Sequence, residues 1–304
     1  MGFKLANIKG RAALLDEENF YDLEKISEGS LSHDTTDALS HLDELGELSK
    51  KLSNLEPTGN LSEVEFDAPI SSPKNCYAVG LNYKNHAEEA GMTIPEVPMV
   101  FTKHTTCLVG ATANVEMRSD YVDYEAELVV VIGLSGKDIP KDDAWDHVAG
   151  LCVGQDISDR PAQFSSSPPM FNLGKSFDTF GPMGPILVSP NSLPDKESLV
   201  IECKVNDEIR QKDNTNDLIF DVPTIISYLS EIVTLKVKDN EKIKIENIEL
   251  TSMCTPGHTS CSYSFLMNDR VFTGDTLLIN GTGRTDFQNG NPIAQYYSLF
   301  DRIL

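Results

Sequence analysis

The sequence has few cysteines, and none of them forms a C-x-x-C pair. A thiolate zinc site needs closely spaced cysteines, and a disulfide framework needs a denser set in a shorter chain. We therefore expect free thiols, as in proteins of the reducing cytoplasm, and a cytoplasmic location. The six cysteines of the 304-residue chain are Cys76, Cys107, Cys152, Cys203, Cys254 and Cys261.

Long apolar runs and positive charge are also scarce. No stretch reaches the ~18 apolar residues of a transmembrane helix, and residues 1–20 lack the apolar core of a signal peptide. Only 25 lysines and arginines stand against 47 aspartates and glutamates, which gives a net charge of −22. Nucleic acids and anionic membranes are bound by basic surfaces, so we expect neither as a partner.

The negative charge is unevenly distributed. Residues 1–235 carry nearly all of it, whereas residues 236–304 are close to neutral. A shift of this kind is one sign of a domain boundary, although a few chance substitutions could also produce it. With the motifs described below, it predicts a small N-terminal domain at 1–70, a catalytic domain at 71–235 and a separate segment at 236–304.

Hydrophobic spacing predicts strands and two helices in the first 235 residues. Leucines recur every three or four positions across 36–55, which predicts one helix with its leucines in the core. Residues 56–74 contain three prolines and read as a linker. A second helix is expected at 220–229. Strands are expected at 3–8, 12–15, 77–80, 99–101, 128–132, 186–188 and 199–205.

Two carboxylates share one face of a predicted strand. In the β pattern of 122–132, side chains alternate, so Glu125 and Glu127 point to the same side as buried aliphatic residues. Asp156 ends another apolar strand. Three oxygen ligands without a thiolate favour Mg²⁺ or Mn²⁺ over Zn²⁺. The alternative is that the strand end is solvated and the glutamates are merely exposed.

Two further sets of residues suggest acid–base and anion chemistry. If 84–90 forms a helical turn, His86 and Glu89 share a face, and a carboxylate beside an imidazole suits a general base. Lys175 follows a glycine in a proline-rich region. A surface histidine near a surface glutamate, and a solvated lysine, are the alternatives for these residues.

The motifs that contain these residues occur in a fixed order, and in this order they resemble the fumarylacetoacetate hydrolase family. The opening segment ANIKGRAALLDEENFYDLEKIS resembles the family's small N-terminal domain. The resemblance implies an α+β, β-rich fold, built as a mixed β-roll and often assembled as a homodimer. The motifs are YAVGLNYKNHAEEAG (77–91), PMVFTKHTTCLVG (98–110), VDYEAELVVVIG (122–133), HVAGLCVGQDISDRPAQF (147–164), LGKSFDTFGPMGPILV (173–188) and VNDEIRQKDNTNDLIFDVPTIISYLSEIVTL (205–235).

The resemblance also implies roles for individual residues. Three carboxylates match the ligands of Mg²⁺ or Mn²⁺, and a histidine–glutamate pair matches a lid helix that activates water. Four more residues match positions that hold the carboxylate and keto oxygens of a small keto-acid substrate. These sets are Glu125, Glu127 and Asp156 for the metal; His86 and Glu89 for the water; and Lys103, Arg160, Gln163 and Lys175 for the substrate.

The implied reaction is hydrolysis of a C–C bond in an acylpyruvate or fumarylacetoacetate-like β-diketo acid. In such a reaction the metal acts as a Lewis acid, and the histidine takes a proton from the attacking water. Some members of the family isomerise or decarboxylate their substrates instead, and those reactions stay open here.

The family pattern stops at about residue 236. The TGTP-like loop that completes the family's active site is missing, and the last 69 residues contain TPGHT (255–259), FTGDTLLI (272–279) and GTGRTDFQNGNP (281–292). These resemble the persulfide dioxygenases of the metallo-β-lactamase fold. His258 and Asp275 match two iron ligands there, and Arg284 matches a position near glutathione. We expect a partial metallo-β-lactamase-like segment.

The second metal site is incomplete by sequence. No H-x-H motif occurs anywhere in the chain, so His258 and Asp275 are expected to be vestigial positions that bind no iron. Three hypotheses remain: a metal-dependent hydrolase with a replaced C-terminus, a persulfide dioxygenase, and an inactive or misfolded chimera. The missing H-x-H counts against the second, and the missing loop keeps the third open.

Overall fold

The computed structural model describes residues 2–89, 91–235, 242–245, 248–255, 263–267, 270–273, 276–277, 284–286 and 291–303. The chain divides into two compact units, Met1–Leu235 and Lys236–Leu304. The division falls where the sequence changes its charge balance. Within the described ranges, no helix is long and apolar enough to cross a membrane.

The first unit is rich in strands. Its strands are β1 (Lys4–Ile8), β2 (Arg11–Leu15), β3 (Asn19–Asp22), β4 (Gly59–Asn60), β5 (Phe66–Asp67), β6 (Tyr77–Gly80), β7 (Met99–Thr102), β8 (Leu108–Gly110), β9 (Val122–Asp123), β10 (Ala126–Ile132), β11 (Val148–Gln155), β12 (Ser158–Asp159), β13 (Gly181–Val188), β14 (Val200–Val205) and β15 (Glu208–Asn214). Most are short, as expected from the frequent prolines and glycines between them.

Short helices connect these strands. The α-helices are α1 (Leu23–Ile26), α2 (Thr35–Ala38), α3 (Leu42–Ser49), α4 (Lys84–Glu89), α5 (Arg160–Gln163), α6 (Phe171–Gly174) and α7 (Val222–Ile232). The 3₁₀-helices are Leu52–Asn54, Leu61–Glu63, Thr105–Cys107, Lys141–His147, Pro190–Ser192 and Thr215–Asp217. The prediction of an α+β, β-rich fold is confirmed.

One mixed sheet of nine strands forms the centre of this unit. Its main path runs β10-β11-β13-β1-β2-β3-β4, with β5 added beside β1 and β8 beside β13. All neighbours are antiparallel except β8 and β13, which run parallel. Strands β6 and β7, β9 and β12, and β14 and β15 form three separate antiparallel pairs.

The leucine stripe contributes to the core, as predicted, but not from a single helix. Leu39, Leu45 and Leu52 are buried together against β1 and β2. The chain forms α2, α3 and a 3₁₀-helix across this region instead of one helix, so that prediction was wrong. The Asp34 carboxylate caps α2 through the Asp37 N–H (2.9 Å). The break before α3 lets the leucines follow the twisted surface of the sheet.

The linker predicted at 56–74 also differs from the structure. It contains β4, which pairs with β3, and β5, which pairs with β1. Proline and glycine marked the turns correctly, but two-residue strands are too short to leave a periodic signal. Because β1 to β5 belong to the same sheet as β10, β11 and β13, the boundary expected at residue 70 stays a prediction.

The second unit contains an antiparallel sheet ordered β16 (Lys242–Ile245), β17 (Ile248–Cys254), β18 (Tyr263–Met267) and β19 (Arg270–Phe272). Helix α8 (Pro292–Tyr297) follows and runs into a π-helical turn, Ser298–Ile303. A chain of buried hydroxyls joins Thr255 to Ser264 (2.9 Å) and to Thr276 (3.2 Å). These groups satisfy one another, as buried polar groups must.

Candidate active site

The three predicted carboxylates lie on one face at one end of the β10–β11 pair. Ala126 lies opposite Gln155, and Glu127 lies opposite Gly154. One step further, the Asp156 N–H donates to the Glu125 carbonyl oxygen (2.8 Å). Opposite residues of an antiparallel pair point to the same side, so Glu125, Glu127 and Asp156 project from one face.

Two buried lysines hold Asp156. Lys103 Nζ lies 2.6 Å from Asp156 Oδ1, and Lys175 Nζ lies 2.7 Å from Oδ2. All three side chains are less than a tenth exposed. Charges buried this deeply persist only when they are paired, so each member of this triad requires the others.

The two lysines differ in how many of their N–H groups are already used in hydrogen bonds. Lys103 Nζ donates to Asp156, to the Phe180 carbonyl oxygen (3.2 Å) and, at short range, to the Lys175 carbonyl oxygen. These bonds use all three of its N–H groups. Lys175 Nζ donates to Asp156 and to Glu125 Oε2 (2.5 Å) and lies over the Phe101 ring (5.5 Å), with no third hydrogen-bond acceptor within the described ranges. Lys175 is therefore the lysine with an N–H available for a substrate.

Arg160 closes the other side of the site. Its Nη2 donates to Glu125 Oε1 (2.8 Å) and to Asp123 Oδ2 (2.6 Å), and its Nη1 donates to the buried Gln163 (2.8 Å). Hydrogen bonds to Glu125 or Arg160 thus connect four of the sequence-predicted residues, namely Glu125, Arg160, Gln163 and Lys175. Asp123 was missed by sequence reasoning. The alternation that singled out Glu125 and Glu127 also reaches Asp123, two positions earlier, and could have found it.

Glu127 is the carboxylate without a cation. In the described part of the chain, no lysine or arginine lies within ion-pair distance of its side chain. Burial, followed by the negative charges of Asp156 and Glu125, raises the pKa of Glu127 to about 8. The cluster therefore places four carboxyl groups against three cations, and Glu127 is the one that holds a proton below about pH 8.

This imbalance makes stability depend on pH. With metal removed by a chelator, we expect the free energy of unfolding to fall as the pH rises from about 5 to 8. Between the ordinary carboxyl pKa of 4.5 and about 8, the folded chain holds a proton on Glu127 that the unfolded chain has lost. Raising the pH therefore favours unfolding. Urea titrations across this range measure the slope.

The variant Glu127→Gln has no proton to lose, so its slope should be flatter than that of the unmodified chain. Glu17→Gln changes an exposed glutamate in the N-terminal region and is the matched control, with the slope left intact. An unchanged slope in Glu127→Gln would contradict the raised pKa.

The predicted lid pair is separate from this cluster. His86 and Glu89 lie on α4, both exposed. The described residues show no hydrogen bond or ion pair between them, and none from either to the carboxylates. Their role in activating water stays a prediction.

The start of α4 is fastened to the segment before α7. The buried Asn82 side chain donates to the Phe220 carbonyl oxygen (3.0 Å) and accepts from the Phe220 N–H (2.9 Å). The Ile219 N–H donates to the Asn82 carbonyl oxygen (2.8 Å), and Asn85 N–H donates to Asp217 Oδ2 (3.0 Å). Sequence reasoning did not find this clamp, because its partners lie more than 130 positions apart.

The donor set fits a hard divalent cation. Glu125, Glu127 and Asp156 offer only carboxylate oxygens, the ligands that Mg²⁺ and Mn²⁺ prefer. Within the described ranges, no three histidine, cysteine or acidic side chains are already arranged around one point. The Lys175 ammonium lies between Glu125 and Asp156, so a cation would enter by displacing one of its contacts.

The predicted vestigial residues of the second unit, His258 and Asp275, lie outside the described residues. Arg284 is described, and its guanidinium pairs with the Asp286 carboxylate at 2.8 and 3.1 Å. The expectation that this segment binds no iron stays a prediction.

Two family models match the chain. The fumarylacetoacetate (FAA) hydrolase C-terminal model matches residues 75–239, and the metallo-beta-lactamase superfamily model matches residues 189–302. The two matches overlap at 189–239. The resemblance of the C-terminal segment to the metallo-β-lactamase fold is confirmed at the level of the superfamily.

Similar proteins agree with the first model. Oxaloacetate tautomerase YisK of Bacillus subtilis is 39% identical over 248 residues, covering 74% of this chain and 81% of that protein. Mitochondrial oxaloacetate tautomerase FAHD2A of Bos taurus is 42% identical over 176 residues, covering 57% and 56%. The chain thus spans little more than half the length of FAHD2A.

Solved structures share the fold. A Mycobacterium smegmatis protein described as HpcE superposes with a TM-score of 0.70 at 37% identity, covering 76% of this chain and 82% of that one. Maleylpyruvate hydrolase from Sphingobium sp. SYK-6, in complex with manganese(II) and pyruvate, gives 0.65 at 22% identity, covering 87% and 95%. With the family model matching more than half of its residues, this chain belongs to the fumarylacetoacetate hydrolase family.

Proposed function

We propose that this chain is a divalent-metal-dependent enzyme that interconverts the keto and enol forms of a small 2-oxo acid, with oxaloacetate as the substrate. The observation that carries the proposal is the buried cluster itself. It combines three candidate metal ligands with Lys175, a buried ammonium that retains a free N–H. The choice of keto–enol interconversion is supported by the match to YisK, an oxaloacetate tautomerase of which the alignment covers 81%.

Glu125, Glu127 and Asp156 would hold the metal. When bound, a divalent cation supplies a Lewis acid that polarises the keto group and makes the neighbouring C–H more acidic. Glu127 is the one carboxyl group of the cluster without a cationic partner in the described residues, so a bound cation would stabilise its deprotonated form.

Lys175 and Arg160 supply the remaining positive charge. Keto–enol interconversion moves a proton between the carbon beside the ketone and the keto oxygen. While that proton is in transit the oxygen carries negative charge, and a fixed N–H donor stabilises that charge. Lys175 Nζ has one N–H for this purpose. Arg160 donates four of its five N–H groups to Asp123, Glu125 and Gln163, which leaves one Nη1 N–H for the substrate carboxylate. Lys103 instead holds Asp156 in place.

The charge of the site favours an anionic substrate. Once Glu127 gives up its proton to act as a metal ligand, four carboxylates and three cations leave one negative charge, and a divalent cation reverses that sign. A 2-oxo carboxylate then enters a site of opposite charge. One 2-oxo carboxylate could therefore bind to both the metal and the guanidinium of Arg160.

The test is an assay of enol decay with purified, folded protein and added Mn²⁺ or Mg²⁺. We expect Lys175→Gln to lower the rate by about 10²–10³, because it removes a donor to the developing oxyanion. Lys141→Gln changes an exposed lysine elsewhere and should leave the rate unchanged. Full activity in Lys175→Gln would contradict the role given to Lys175.

Hydrolysis of a C–C bond in an acylpyruvate is the second candidate. It is supported by the exposed His86 and Glu89 on α4, a helix clamped at its start by Asn82. A water-activating base on this helix would be required for hydrolysis. The same protein assayed on acetylpyruvate separates the two reactions, and a related decarboxylation would appear as CO₂ release.

We do not propose dioxygenase activity for residues 236–304, because the chain supplies no H-x-H motif. The expected homodimer also stays a prediction. A folded chain that takes up no metal and converts neither substrate would support the remaining alternative, an inactive chimera.

A further inference from the structure

One peptide unit connects the backbones of all three candidate metal ligands. It joins Glu125 to Ala126, the residue before Glu127, and its carbonyl oxygen accepts the Asp156 N–H (2.8 Å). A trans peptide unit is planar, so its N–H points the opposite way from its carbonyl oxygen, here away from Asp156 and β11. Rotation of this one unit would move the backbone that carries Glu125 and Glu127 and would loosen its bond to Asp156.

The N–H of this peptide unit faces an edge of the sheet. Strand β10 ends the path of the nine-stranded sheet, and no further strand of the described residues pairs with it on that side. An N–H at such an edge needs a partner from outside the sheet. The Ala126 N–H donates to Gln211 Oε1 (2.9 Å), at a partly buried position. Gln211, on β15, therefore supplies the acceptor that a neighbouring strand would otherwise provide.

A second contact fixes the hairpin that carries Gln211. Gln211 lies opposite Cys203 of β14. In the sheet, Ala126 lies opposite Gln155 of β11. The Gln155 side chain donates to Cys203 Sγ (3.6 Å), beside the bond from Ala126 to Gln211. Each member of the hairpin pair thus bonds to one member of the sheet pair, so the hairpin holds the Gln211 amide in place against β10.

We propose that Gln211 is a positioning residue for the divalent cation site. By holding the Ala126 N–H, it keeps the backbone of Glu125 and Glu127 in the orientation that aims both carboxylates at the cation. The inference rests on the proposed function. Groups outside a ligand set that fix the orientation of the ligands raise metal affinity. Water could accept from the same N–H, but it is not tied to the protein and does not fix the direction of the peptide unit.

The test is Mn²⁺ binding by calorimetry, together with urea unfolding of the metal-free chain. Gln211→Met keeps an unbranched side chain of similar length and removes the acceptor. We expect it to weaken Mn²⁺ binding about 10-fold, the lower end of the range for groups outside the ligand set. Gln211→Glu keeps an oxygen acceptor and adds negative charge near the cation, so it should bind Mn²⁺ at least as tightly as the unmodified chain.

Thr58→Val is the matched control. Thr58 Oγ1 accepts the Asp22 N–H at the same distance, 2.9 Å, at a partly buried position beside β3 of the same sheet. Thr58→Val and Gln211→Met should both lower the urea midpoint, because each removes the acceptor of a backbone N–H. Only Gln211→Met should also weaken Mn²⁺ binding, and this difference distinguishes positioning from a purely structural role.

The outcomes separate this inference from the proposed function. If the unmodified chain binds Mn²⁺ and Gln211→Met binds it equally well, the role of Gln211 is overturned while the metal site stands. An equal loss of affinity in Gln211→Glu or in Thr58→Val would also overturn it, because affinity would then not depend on an acceptor for the Ala126 N–H. If the unmodified chain binds no Mn²⁺, the metal site fails and the inference fails with it.

Discussion

Replacing Asp156 with alanine is expected to destabilise the metal-free chain by about 3–5 kcal/mol, the cost of removing one partner of a buried ion pair. Asp156 accepts from Lys103 at 2.6 Å and from Lys175 at 2.7 Å, and both lysines are buried. Without Asp156, Lys103 retains only carbonyl oxygens as acceptors. Two ammonium groups would then lie close together with a single carboxylate, Glu125, left to offset them.

Urea unfolding measures this loss, and the fluorescence of Trp145, the chain's one tryptophan, reports it from within the first unit. Asp178→Ala, at an exposed aspartate near Lys175 in sequence, should change stability by no more than ~0.5 kcal/mol. Asp156→Asn keeps an acceptor for one lysine and should fall between the two. A loss below about 1 kcal/mol in Asp156→Ala would show that the lysines find other partners.

If acylpyruvate hydrolysis, the second candidate reaction, is an activity of this chain, replacing His86 with alanine is expected to lower its rate by about 10²–10⁴, the usual contribution of a general base. His86 has no contact with the carboxylates in the described residues, so Mn²⁺ affinity should stay the same. Steady-state rates and calorimetry on the same preparation measure both quantities.

The chain offers a close control for this variant. His41, the residue before α3, and Glu44, in the first turn of α3, form an exposed pair at 3.1 Å with the same spacing of three residues. His41→Ala should therefore leave both hydrolysis and metal binding unchanged. If His86→Ala retained full hydrolysis, α4 would have no part in activating water. A loss of Mn²⁺ affinity would instead make His86 a ligand.

Simple patterns in the sequence predicted the acidic face of the site. Alternation along β10 placed Glu125 and Glu127 on one side, and the end of an apolar strand singled out Asp156. Both patterns are local in the sequence, and the antiparallel pairing of β10 with β11 brings the residues that they identify onto one face of the sheet. The positions of Lys103, Arg160, Gln163 and Lys175 came from the family resemblance, because no spacing in one sequence shows which cation meets which carboxylate.

What sequence reasoning missed has physical causes of two kinds. The helix predicted at 36–55 breaks near His41, because packing of Leu39 and Leu45 on a curved sheet outweighs helix periodicity. The clamp at Asn82 depends on contacts with residues 217–220, and such distant contacts leave no local signal. Asp123 was within reach of the alternation argument and was overlooked.

The central place of β1 in the sheet has a consequence for synthesis of the chain. Strands β1, β2 and β3 can pair as soon as they are made, and β5 later covers Asn7 and Ile8. The other pairing partner of β1 is β13, where Val188, Leu187 and Ile186 lie opposite Lys4, Leu5 and Ala6. The ribosome makes these β13 residues roughly 10–40 s after β1 at ordinary translation rates. During that interval an apolar strand edge stays open to other chains. Substitutions that delay β13 therefore promote aggregation even where they leave the finished fold intact.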